Sequence, residues 1–131
     1  MTEDTQGLTA ADRPLTLTQT ELLDLLHERF GDDPMAWAFQ CPHCRDIATG
    51  QDFRDALAAN PRTRDDGTSV TASAILGQEC IGRTLGALRG AADEWTGRGC
   101  DWTAYGLFHG PVTVTTDGGH TMHAFPVAPA P

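Results

Sequence analysis

Cys41-Pro42-His43-Cys44 is the stretch on which the reading of this chain turns. Two thiols with two residues between them can grip one ion from a single tight turn. The chain holds 4 cysteines in all, and the remaining two are Cys80 and Cys100. Four thiols, two of them in a C-x₂-C knuckle, are the minimum set for a closed tetrahedral Zn(II) site. The expectation is one structural zinc per chain, held by Cys41, Cys44, Cys80 and Cys100, that ties three separate segments into one domain. Four thiolates around a divalent cation carry a double negative charge, which asks for nearby donors or cations. Each cysteine segment has an arginine close by: Arg45 beside Cys44, Arg83 after Cys80 and Arg98 before Cys100. These three are expected to support the thiolates, not to bind the metal.

Two other readings of the same cysteines stay open. Cys80 is also compatible with a buried apolar thiol in a helix. Cys-Pro-His-Cys is also the active-site tetrapeptide of a disulfide-oxidising branch of the thioredoxin family. In that reading Cys41 is a low-pKa nucleophile and Cys44 resolves the mixed disulfide. That fold starts a long helix at the motif, whereas Thr49-Gly50 argues against one here, and it leaves Cys80 and Cys100 without a task.

The 131 residues suit one domain. No run approaches the roughly 18 apolar residues of a membrane span. Met1-Thr2-Glu3-Asp4 is acidic and lacks the basic and apolar regions of a secretory signal, so a cytoplasmic protein with reduced thiols is expected. The formal net charge is -9, and all 9 basic residues are arginine. Such a surface repels phosphate backbones and suits a basic protein partner. A nucleic-acid-binding zinc module would need its arginines gathered on one face, with Trp37, Trp95 or Trp102 exposed for stacking. No membrane partner is expected.

Along the chain, residues 1–14 read as a disordered tail and residues 15–127 as a single domain. Thr18 to Glu21 fits a capping box opening a helix through Leu22, Leu25, Leu26 and Phe30, which Gly31 stops. Asp33-Pro34 predicts a single turn. Trp37 to Gln40 alternates like a strand and delivers the chain into the knuckle; Ile47 onward leaves it, and a short helix follows from Gln51 to Ala59. Residues 60–69 read as a mobile surface loop. The spacing then predicts a helix over about 70–88, interrupted by Gly77, Gly82 and Gly86, which a break near Gly77 or a close-packed neighbour would explain. Cys100 to Phe108 alternates loosely, and Pro111–Thr116 and His120–Val127 flank Asp117-Gly118-Gly119. A two-residue Gly-Gly turn would pair Val114 with His123 and Val112 with Phe125. His123 then reads as a core histidine, and residues 128–131 as a loose tail. No catalytic group assembles: His120 and His123 would face opposite sides of a strand, and Asp32-Asp33 and Asp65-Asp66 look like turn residues.

Three blocks carry a resemblance. They are Ala36 to Cys44, Gly77 to Arg83, and Gly99 to Pro111, each centred on cysteine and present in this order. Over about residues 15 to 127 the chain resembles an uncharacterised family of short cytosolic four-cysteine proteins, found mainly in actinobacteria, their plasmids and their phages. All four cysteines fall on the family pattern. The resemblance strengthens the zinc expectation and implies a mobile-element origin; it implies no activity. Arg45 departs from the pattern, which often has Gly after the knuckle, and the loop near 60–69 looks longer than usual.

The expected fold is therefore α+β: a knuckle hairpin and a C-terminal antiparallel sheet packed on two helices, with zinc at the junction. The expected core includes Leu22, Leu25, Leu26, Phe30, Trp37, Phe39, Ile81, Leu85, Trp102, Tyr105, Leu107, Val112, Val114 and Phe125. The expected function is that of a non-enzymatic adaptor or inhibitor, phage- or plasmid-borne, acting on a host protein.

Overall fold

The computed structural model describes residues 15–88, 95–105 and 111–130. The expected tail over 1–14 and the core position of Leu107 lie outside them. Strand β1 (Leu15–Thr18) runs straight into helix α1 (Gln19–Phe30), and a 3-10 turn (Pro34–Ala36) follows. The knuckle hairpin is β2 (Ala38–Gln40) and β3 (Ile47–Thr49), followed directly by α2 (Gly50–Ala59). Two single-turn helices, α3 (Ala72–Ile75) and α4 (Gly82–Leu85), precede the terminal hairpin of β4 (Val112–Thr115) and β5 (Thr121–Ala124). The architecture is α+β, as expected.

Capping chemistry sets both longer helices. Thr18 accepts from the Glu21 amide at 3.1 Å, and the Glu21 carboxylate takes the Thr18 amide at 2.8 Å. Thr49 and Asp52 make the same reciprocal pair at the start of α2. Each box satisfies amides that the first helical turn leaves without partners. Asp33 caps the 3-10 turn through the Met35 amide.

The long helix expected over 70–88 is not formed. Gly77 takes φ +77° with the Phe39 ring 3.0 Å from where a Cβ would stand. The backbone leaves the helical path in a turn over residues 76–78, and Glu79 then bridges antiparallel to Thr103. Backbone amides and carbonyls here pair instead with residues 102–104: Cys80 N–H donates to Trp102 O at 3.0 Å, and Ala104 N–H to Gln78 O at 2.8 Å. Both the break and the close-packed neighbour are present.

The terminal hairpin forms, but with its register one residue away from expectation. Val112 pairs with Ala124, Thr113 with His123 and Val114 with Met122. The reason is the loop. Of Gly118 and Gly119, only Gly119 has positive φ. Thr116 N–H donates to His120 O, so the loop has three residues, Asp117 to Gly119. A one-residue slip moves a side chain to the other face. His123 accordingly shares a face with Thr113, not with the buried valines.

Strand β1, which the sequence reading did not anticipate, pairs parallel with β4 in the order β1-β4-β5. Val112, Val114 and Ala124 pack with Leu17 and Leu22 beneath it. The chain continues past β5 along β2: Gln40 N–H donates to Pro126 O, and Ala128 N–H to Ala38 O. The tail expected to be loose at Ala128 is thus tied down. Ala128 is buried, and its carbonyl also accepts from the Arg29 guanidinium at 2.9 Å. This crossing joins the two sheets and seals a core of Leu26, Phe39, Cys41, Cys80, Ala104, Phe125 and Val127. A second cluster centres on Phe53, Ile75 and Ile81. Tyr105, expected inside, is 55% exposed, because its ring lies at the surface while its hydroxyl reaches inward. The 60–69 loop closes as a small hairpin, with Arg64 N–H donating to Thr68 O and Val70 N–H to Arg62 O.

Candidate metal centre

Strand β2 ends at Gln40 and presents Cys41 at the start of a tight turn. Arg45 N–H closes the turn onto Cys41 O at 3.0 Å, and Cys41 N–H donates to Asp46 O at 2.9 Å. Arg45 sits at φ 71°, the one described non-glycine residue with positive φ. The geometry that brings both knuckle sulfurs to one side wants glycine at this position.

The other two cysteines arrive from far away in sequence. The pairing of residues 78–80 with 102–104 sets Cys80 beside the Cys100 segment. Gly82 makes the approach possible: a Cβ there would lie 2.4 Å from the backbone N and O of Cys100. All four sulfurs end within 4.8 Å of one another. Cys41 and Cys100 are 3.7 Å apart, Cys44 and Cys80 3.5 Å. Four sulfurs held at about 2.3 Å from one centre stand about 3.8 Å apart, so the set fits a tetrahedral thiophilic ion. Among the described residues no other group of three or more His, Cys, Asp or Glu side chains converges in this way.

Backbone amides point at each sulfur. Cys41 accepts from the amides of Cys44 and His43, Cys44 from Asp46, and Cys100 from Trp102. Cys80 accepts from the Cys100 amide at 3.2 Å. Such donors stabilise thiolate charge. The thiols also act on one another. Hydrogen bonds from Cys100 and Cys80 hold Cys41 down at about 4. The Cys44 sulfur is partly withdrawn from water although the residue as a whole is exposed, which pushes its thiol up; the hydrogen bond with Cys41 pushes Cys100 up. Without a cation the cluster thus favours a thiolate at Cys41 and disfavours ionisation of Cys44 and Cys100. Cys41 and Cys80 are buried, Cys100 is intermediate and Cys44 is exposed.

Of the three arginines, Arg83 and Arg98 reach backbone carbonyls next to the site. Arg83 donates to the carbonyl of Asp101 at 2.9 Å, next to Cys100. Arg98 bonds Asp46 Oδ1 at 2.9 Å and Ile47 O at 2.7 Å, tying the Cys100 segment to the exit of the knuckle. Arg45 offers its carbonyl to Gln40 Nε2 at 3.2 Å. His43 stacks on Trp102, with ring centroids 4.7 Å apart and planes 8° from parallel.

Beside the cluster lies a group that sequence reading missed. Glu79, 4% exposed, takes both terminal nitrogens of Arg62, at 2.7 and 3.3 Å. Tyr105 donates its hydroxyl to the same carboxylate. Arg62 also reaches Thr84 Oγ1 at 2.9 Å, and Arg83 Nε stands 3.7 Å from Glu79. The network locks the residue preceding Cys80 to three segments. The available signal was Arg83 four residues after Glu79; Arg62 lay in a stretch read as plain loop.

The VVA0879-like family model matches residues 18–128. The chain belongs to the VVA0879-like family. No curated protein and no solved structure matches it. The VVA0879-like match runs from the cap of α1 to the buried Ala128, and so spans all four cysteines and the crossing strand that joins the sheets. No helix among the described residues is long and apolar enough to cross a membrane.

Proposed function

We propose that this VVA0879-like protein is a zinc-stabilised, non-enzymatic binding protein. The observation that carries the reading is the convergence of four sulfurs from three segments within 4.8 Å. Cys41, Cys44, Cys80 and Cys100 would hold Zn(II), whose chemistry here is structural cross-linking. Four thiolates complete a tetrahedron and leave no position for water or substrate, so hydrolysis by a Lewis acid does not follow. Folding and metal binding then form one event. The knuckle turns back into β3, and α2 begins only at Gly50, which favours a metal knuckle over a thioredoxin-type active site.

The partner would be a protein with a basic surface. The chain's net charge of -9 favours that encounter electrostatically. An apolar groove of about 220 Å³, lined by Leu22, Leu23, Leu26, Met35, Trp37 and Leu76, lies beside α1 and suits a basic amphipathic segment. Trp37, Trp95 and Trp102 are all half-buried and Trp102 already stacks on His43, which speaks against a stacking platform for nucleic acid. A phage or plasmid origin, implied by the resemblance, would make the partner a host protein.

Elemental analysis of protein purified without added metal tests the first half, with about one zinc per chain expected. Affinity capture from host lysate, with and without nuclease, tests the second. One stoichiometric partner that resists nuclease and is lost with Leu23→Arg supports the reading. Salt-sensitive recovery of DNA or RNA by the pure protein overturns it.

A further inference from the structure

The four cysteines are not equivalent toward solvent. Cys41 and Cys80 are buried, Cys100 is intermediate, and Cys44 alone is exposed. Its sulfur stands 3.5 Å from that of Cys80, whereas Cys41 has Cys100 at 3.7 Å. Amide donors to sulfur lower nucleophilicity by drawing off thiolate charge; Cys41 has two, from Cys44 and His43, and Cys44 has one, from Asp46. Resting on the zinc reading, we propose that Cys44 is a peroxide-sensitive site, resolved by Cys80, through which oxidation releases the metal.

The chemistry balances with a hydroperoxide as the oxidant. The Cys44 thiolate attacks one peroxide oxygen; an S–O bond forms, the O–O bond breaks, and hydroxide leaves. The Cys80 thiolate then attacks the Cys44 sulfur; the S–S bond forms, the S–O bond breaks, and a second hydroxide leaves. Two electrons pass from two thiolates to one peroxide, which ends as two waters after protonation. Cys41 and Cys100 are left as two ligands of the original four, too few to retain the ion. The new bond joins the knuckle to the segment after Gly77. It therefore replaces the metal cross-link between those segments with a covalent one, and the fold outlasts the loss of zinc.

The test uses full-length, zinc-loaded protein and hydrogen peroxide. Zinc release is followed with a chromogenic chelator, and the first disulfide is located by non-reducing peptide mapping with fragmentation. Release should accompany a Cys44–Cys80 bond, with the circular dichroism of the fold retained. Cys44→His, which keeps four ligands, should slow release at least tenfold. Independently of that variant, brief maleimide treatment of the wild type should alkylate Cys44 first, ahead of the buried Cys41 and Cys80. A first bond between Cys41 and Cys44, or alkylation that starts at Cys41 or Cys100, would overturn the inference alone. Protein that carries no metal before peroxide is added would overturn the zinc reading and the inference with it.

Discussion

Gly82 and Gly99 meet backbone to backbone directly under the Cys80 sulfur. A Cβ on Gly99 would stand 2.5 Å from the Gly82 amide nitrogen and 3.1 Å from Cys80 Sγ, and Gly99 has φ +80°. The contact lets the Cys80 and Cys100 segments close around one ion. Gly82→Ala must push the Cys100 backbone aside. It is expected to cost about 1–3 kcal/mol of stability as an overpacked site does, and to weaken zinc binding at least tenfold. Gly118→Ala, whose Cβ meets only the His120 ring at 3.3 Å, should leave zinc affinity unchanged. Chelator competition on the two variants measures the difference.

Arg45 follows Cys44 directly, in a conformation that suits glycine. A left-handed residue with a Cβ costs roughly 1–2 kcal/mol, partly offset because glycine adds freedom to the unfolded chain. Arg45→Gly should therefore raise stability by about 1 kcal/mol, seen as a higher midpoint in chemical denaturation of the zinc-loaded protein. An equal or lower midpoint would show that the Arg45 side chain contributes more than the strain removes.

The Glu79 network makes a different kind of demand. Removing the partner of a buried carboxylate costs roughly 3–5 kcal/mol. Arg62 is 27% exposed in its side chain, and Tyr105 and Arg83 remain near the carboxylate, so the loss is screened and shared. Arg62→Met is expected to cost about 2 kcal/mol. Glu79→Gln in the Arg62→Met background should recover part of that loss, since no uncompensated charge is left inside. A double-mutant cycle by denaturation decides it; strictly additive losses would mean that the two side chains act independently.

The parts of this fold that were legible are those in which one residue type has one physical task. Thr18 with Glu21 announces a helix start, and four scarce cysteines announce a cluster. The parts that failed depend on partners distant in sequence. The apolar spacing of Leu76, Cys80, Ile81 and Leu85 reads as helical, yet Gly77 and the strand-like pairing with residues 102–104 override it. The hairpin register turned on which glycine took positive φ, and Gly-Gly does not disclose that. Glu79 stayed hidden because a single carboxylate carries no pattern until Arg62 and Tyr105 are folded against it.

Proton competition supplies the last expectation. Cys44 and Cys100 have thiols raised above the ordinary value, by partial desolvation of the sulfur and by the hydrogen bond with Cys41 respectively, so both are protonated at neutral pH before metal binds. Cys41, held at about 4, is already a thiolate. Loading a divalent ion must displace the protons on Cys44 and Cys100, whereas Cys41 gives up none. Each displaced proton changes apparent affinity by roughly tenfold per pH unit. Between pH 8 and pH 6 these two ligands alone should lower zinc affinity by about a hundredfold per unit as pH drops, which sets the minimum slope. The loss should steepen again only near pH 4, where Cys41 takes its proton. Competition against a chromophoric chelator across this range measures the slope. A flat profile would mean that Cys44 and Cys100 are already ionised in the metal-free protein.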